Sequence, residues 1–195
     1  MIFFSCTCKF VFTYISNNAE ISQQTIMPTE VAGIPINCIR ISQIKGHIIR
    51  KVLSLDFQVK INSIIRFDII SEEERDLLDN GAVQVPVSHI SEDDMLTFGY
   101  PFFITVVEDE KFENVKKRLC DYLVGNDMMT NQEFMRLSFY FGDADQPGSQ
   151  KKVLWKDMNV LSEMRSKLSY ANNNVVLFIM HKTKKNNDMS VKIYN

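Results

Sequence analysis

Apolar and polar residues alternate along much of this chain, the period-two signature of half-buried strands. In residues 36–44, Ile39 and Ile41 alternate with Arg40 and Ser42. Lys45-Gly46 suits a tight turn, and His47 to Leu53 reads as a second strand. A third run, residues 64–70, sets Ile65, Phe67 and Ile69 against Arg66 and Asp68. Ser71 to Gly81 breaks the alternation. Ser71 can cap a short helix, with Glu72 to Glu74 placed favourably against its N-terminal dipole, and Asn80-Gly81 is a turn signal. The acidic segment reads as a solvated connector rather than a binding patch. The first half therefore predicts three strands and no long helix. It is preceded by a polar stretch, residues 17–35, broken by Pro28, Gly33 and Pro35.

The second half predicts a more complete order. Val83 to Ile90 alternates like a strand, and Pro86 places it at a sheet edge or on a bulge. Phe102 to Val107 is a second strand. Phe112, Val115, Leu119, Tyr122 and Leu123 then fall at helical spacing, with Gly125 where a helix ends. Phe134 to Phe141 is a third strand, Lys152 to Lys156 a short fourth, and Val175 to His181 the last. The unbroken apolar run of that last strand suits a central position buried on both faces. A helix laid over one face of a small mixed sheet covers both apolar surfaces. The fold class is thus α+β, with a β-grasp (ubiquitin-like) domain at residues 82–181. Residues 36–80 form a partial, strand-rich unit and residues 1–35 an uncertain N-terminal segment. Residues 182–195 form a flexible tail with four lysines against one Asp, and its ending, Val191-Lys-Ile-Tyr-Asn, returns to apolar residues.

Composition agrees with that outline. The chain has 195 residues, and its 20 Ile and 14 Phe favour strands. With 22 basic and 24 acidic residues, no overall positive field draws it to nucleic acid or an anionic membrane. Cys6, Cys8, Cys38 and Cys120 lack the spacing of a disulfide framework. Cys6 and Cys8 alone fall short of the four ligands of a structural zinc site, so no metal and no cofactor is expected. Cys120 sits near the apolar stripe of the helix, whereas His89 and His181 lie in strands. No phosphate loop or nucleophile elbow accompanies them, and a catalytic Cys–His pair is not favoured. The apolar residues 1–15 are interrupted by Cys6, Thr7, Cys8 and Lys9. They read as a strand or a non-native start rather than a signal peptide or membrane span.

Several of these residues resemble a known family. Thr97-Phe-Gly-Tyr-Pro-Phe-Phe-Ile, Glu110-Lys-Phe-Glu-Asn-Val-Lys-Lys-Arg-Leu, Phe134 to Tyr140 and the final Val191-Lys-Ile-Tyr-Asn are similar to the extreme C-terminus of the herpesvirus-associated ubiquitin-specific proteases. Those deubiquitinases carry a catalytic domain, five ubiquitin-like domains and a short C-terminal peptide. The resemblance runs from about residue 36 to the end. It implies the second half of the fourth ubiquitin-like domain, the whole fifth and the tail, so the chain is expected to be a fragment or to begin at a wrongly chosen start. The family's Cys and His boxes have no counterpart, and no catalytic residue is assigned. The resemblance implies a regulatory piece whose tail, through Val191, Lys192, Ile193 and Tyr194, binds the catalytic domain of the same protease. That places it in the nucleus and cytoplasm. The alternative is a free-standing adaptor binding other proteins through its ubiquitin-like surfaces. A conjugated modifier is disfavoured because the chain ends in Tyr194-Asn195 rather than Gly-Gly. An enzyme in its own right comes last.

Overall fold

A computed structural model describes residues 10–12, 30–31, 34–35, 38–54, 64–148, 152–168 and 174–182. The chain divides into two compact units, one within residues 1–82 and one comprising residues 83–195 with residues 46–48.

In the first unit, β1 (Phe10–Phe12), β4 (Ile39–Lys45), β5 (Ile48–Leu53) and β6 (Ile64–Ile69) form one sheet in the order β1-β6-β4-β5. The short strands β2 (Glu30–Val31) and β3 (Ile34–Pro35) pair separately. The three strands expected from alternation are present, and Gly46, at φ 61°, makes the turn between the first two. The antiparallel register sets Ile41 opposite Phe67, Arg40 opposite Asp68 and Ser42 opposite Arg66. Residues opposite one another share a face, so alternation in sequence becomes segregation in space. Ile39, Ile41 and Ile65 cluster with Leu53 and Phe67. Arg40, Ser42, Arg66 and Asp68 share the other face and are buried too. Asp68 Oδ2 accepts from Arg66 Nε at 2.9 Å and lies 3.8 Å from Arg40 Nε.

The acidic connector forms α1 (Glu72–Asp79), capped by Ser71 Oγ accepting from the Glu74 amide at 3.1 Å. It buries no residue, as a solvated helix should. It nevertheless supplies Glu74, whose Oε1 accepts from Arg40 Nη1 at 2.9 Å. The connector thus carries part of the counter-charge for a buried guanidinium.

The second unit contains β7 (Val83–Ser91), β8 (Thr97–Val106), α2 (Phe112–Gly125), α3 (Asn131–Phe134), β9 (Ser138–Asp143), α4 (Val160–Leu168) and β10 (Val175–His181). The sheet order is β8-β7-β10-β9, with β10 parallel to β7 and antiparallel to β9. Helix α2 lays Phe112, Val115, Leu119 and Leu123 over Val85, Val87, Phe139, Phe141, Leu177 and Ile179. The opposite face holds Ile90, Tyr140, Val176, Phe178 and Met180, with the Tyr140 and Phe178 rings stacked at 5.4 Å. Strand β10 is buried on both faces, as its continuous apolar run requires.

Pro86 lies in a strand flanked on both sides, and of the two places expected for it the irregularity is present and the edge is not: it precedes Val87, the first residue paired with β10, and the ladder to β8 shifts register between Val87 and His89. Four other local expectations change. Phe134 ends the helix α3 rather than starting a strand, because Thr130 and Glu133 form a reciprocal capping box. Residues 152–156 contribute only a bridge, Val153 to Tyr140. Helix α4 is additional to the expected order. Gly125 is the last residue of α2 rather than its cap, and Asn126 caps the helix, donating Nδ2–H to the Tyr122 carbonyl at 2.6 Å.

Candidate functional site

The expected docking residues Val191, Lys192, Ile193 and Tyr194 lie outside the described residues, as do Cys6 and Cys8. What the structure describes is the place from which the tail departs. Strand β10 ends at His181, and Lys182 is the last described residue.

His181 does not stand alone there. The parallel register brings the ends of β7 and β10 side by side, and His89 Nδ1 lies 2.8 Å from His181 Nε2. One imidazole donates and the other accepts. Phe98, opposite His89 on β8, packs on both rings, with centroids 5.8 Å from His89 and 4.9 Å from His181. Phe102 lies 6.2 Å from His89 and links the cluster to Tyr122 of α2 at 4.8 Å. Gly99, at φ 69°, turns the bulged strand, and a side chain there would sit 3.7 Å from the His89 ring.

Burial penalises the charged form of both rings. His89 is pushed down to about 3, by desolvation first and by repulsion from His181 second. His181 is pushed down to about 4 by desolvation, with the Glu133 carboxylate opposing the fall. Two neutral imidazoles sharing one hydrogen bond is the arrangement those shifts require. Its contacts are aromatic rings rather than a nucleophile, so the geometry is that of a latch between strands.

Cys120, the one cysteine weighed as a nucleophile, has its thiol 3.7 Å from Asn131 Oδ1 rather than on an imidazole. Among the described residues no group of three or more His, Cys, Asp or Glu side chains can hold a metal ion. No described helix is long and apolar enough to cross a membrane.

Around the latch the surface changes character. The β7–β8 turn exposes Glu92, Asp93 and Asp94, and the Glu92 amide donates to the His181 carbonyl at 3.0 Å. Beyond the turn, Leu96 is 64%, Phe98 36% and Tyr100 56% exposed. At the opposite end of β8, the turn into α2 is fixed by paired charges. Arg165 of α4 grips Glu108 through two bonds of 2.7 Å, and Arg118 of α2 grips Glu110 at 2.8 Å while donating to the Thr105 carbonyl at 2.7 Å. Asn159 donates to Asp109 Oδ1 at 3.1 Å. These contacts hold helices to the sheet.

The family model of the ubiquitin-specific protease C-terminal region matches residues 16–186. The chain belongs to that family, and is thus similar to part of a deubiquitinase. Among curated proteins no match was found.

Proposed function

We propose that this chain is a non-catalytic regulatory module of a ubiquitin-specific protease, promoting activity of the catalytic domain of the same protein. Residues 82–181 are its β-grasp, ubiquitin-like domain and residues 36–80 part of a second. Residues 182–195 are the tail that docks on the catalytic domain through Val191, Lys192, Ile193 and Tyr194. The observation that carries the reading is family membership over residues 16–186. The sheet order β8-β7-β10-β9, with α2 across one face, supports it. The module acts in the nucleus and cytoplasm, where the parent protease removes ubiquitin from its substrates.

The physical route is intramolecular. An extended peptide points Val191 and Ile193 the same way, since side chains alternate with a period of two, and directs Lys192 away from them. Burying two such aliphatic side chains supplies about 3–6 kcal/mol gross, less the cost of ordering the peptide. That is weak in trans and sufficient when tethering raises the local concentration to the millimolar range. Docking changes turnover only by favouring the active arrangement of the catalytic domain over the inactive one.

The test is deubiquitinase turnover of the full-length protease carrying Val191→Asp with Ile193→Asp, alongside circular dichroism of this chain. Activation should be lost and the fold retained, and Lys192→Ala should do much less. Unchanged turnover in the double variant would remove the tail as the switch and favour an adaptor that binds other proteins.

A further inference from the structure

We infer that the tail, when it is not engaged on a catalytic domain, folds back onto its own module and covers the exposed patch of Leu96, Phe98 and Tyr100. The inference rests on the reading of residues 182–195 as a docking peptide and adds a second, competing seat for it.

Three observations converge on this occupant. The patch lies at the tail's root, because the Phe98 ring is 4.9 Å from the ring of His181 and the tail begins one residue later. Charge is complementary along the way. The exposed Glu92, Asp93 and Asp94 stand beside that root, where the Glu92 amide bonds the His181 carbonyl, and the first tail residues include Lys182, Lys184 and Lys185. Length is sufficient too. Residues 182–190 reach about 30 Å when extended, ample to turn back and bring Val191, Ile193 and Tyr194 onto the patch. The latch holds Phe98 in place from beneath, so the receiving surface is fixed before the peptide arrives. A short flexible tether gives an effective concentration in the millimolar range, which occupies even a contact with a dissociation constant near 0.1 mM about nine-tenths of the time.

The consequence is regulatory. The catalytic domain meets a tail that is free only for the remaining fraction of the time, and its apparent affinity falls by that fraction. Weakening the parked contact therefore makes the module a better activator.

Amide exchange across Leu96 to Tyr100, in the whole chain and in the chain truncated after Lys182, tests this directly. Truncation should speed exchange on the order of tenfold, matching that occupancy. Val191→Asp with Ile193→Asp should do the same. Raising salt from about 0.05 to about 0.5 M should speed exchange only when the tail is present. Equal exchange with and without the tail overturns the inference, and so does protection that grows with protein concentration, which would mean a second copy on the patch. In a trans assay on the isolated catalytic domain, Leu96→Asp with Tyr100→Asp should lower the half-maximal activating concentration several-fold. A rise instead would mean that the patch itself meets the catalytic domain, and would overturn parking. If the module activates nothing in any form, the regulatory reading fails, while the exchange experiment still decides where the tail rests.

Discussion

The histidine latch makes this protein sensitive to mild acid in a way that two substitutions should erase. In the unfolded chain both rings titrate near 6.5, whereas folding holds His89 at about 3 and His181 at about 4. Between those values the unfolded chain binds more protons than the folded one. Stability contributed by keeping the rings neutral is therefore complete above 6.5 and is lost as pH falls toward the folded values. At pH 5 each unfolded histidine has gained about 2 kcal/mol by protonation, so the pair loses about 4 kcal/mol of folding stability between pH 7 and pH 5. That is a large part of a typical 5–15 kcal/mol. The figure depends little on the depth of the folded shift, provided both values stay below 5. Glu108, which Arg165 holds below the usual carboxylate range, acts at lower pH and leaves the window to the histidines. Urea unfolding at pH 7, 6 and 5 measures the slope. His89→Phe with His181→Phe should flatten it to under about 1 kcal/mol, whatever the substitutions do to stability at pH 7. A wild-type chain equally stable at both ends, or a double variant with the wild-type slope, would refute the buried neutral pair.

Two further outcomes test the packing. Leu119→Ala removes a fully buried side chain from the α2 seam and should cost about 2–5 kcal/mol in urea unfolding, with no change in sheet content by circular dichroism. Asp68→Ala strips a buried carboxylate from Arg40 and Arg66 and should cost about 3–5 kcal/mol in the first unit, more than Glu74→Gln at the better-hydrated end of the same network.

Most of the strand pattern was legible because an apolar face backed by a polar one writes itself into sequence as alternation, and apolar burial on both faces as an unbroken run. Ile39 to Ile44 and Ile64 to Ile69 lie where alternation puts them, and Val175 to Met180 where its continuous run does. Helix α2 was legible for the same reason at a different period. Helix α4 has sequence signals of its own: Asn159 Oδ1 accepts from the Ser162 amide at 2.7 Å as an N-cap, and Val160, Leu161 and Met164 follow at helical spacing. The Thr130–Glu133 capping box was likewise in view but masked by the apolar run that follows it. The His89–His181 contact was not legible. Its partners are 92 positions apart, and each looked like an ordinary strand residue until the parallel register placed them together. A single sequence gives each strand's faces but not which strand lies beside it.

The position of β10 ties these features together. It is the central strand, paired on both sides and buried on both faces, and it is also the strand from which residues 182–195 depart. A peptide rooted in the most protected strand of a sheet keeps its origin fixed through local opening of weaker elements, since such strands open only near the global limit. The latch adds a side-chain bond at the last turn of that strand, where fraying would otherwise lengthen the tether. A longer, looser tether lowers the effective concentration at any seat, whether the module's own patch or a groove on a catalytic domain. Breaking the latch at neutral pH in a chain whose parked seat is already removed should therefore weaken tail-dependent activation without touching the tail. Relief of parking by Leu96→Asp with Tyr100→Asp should strengthen it. Opposite signs from two neighbouring perturbations are hard to produce by general damage to the fold, which is why measuring both on one protease separates a tethered switch from a loosely stabilising domain.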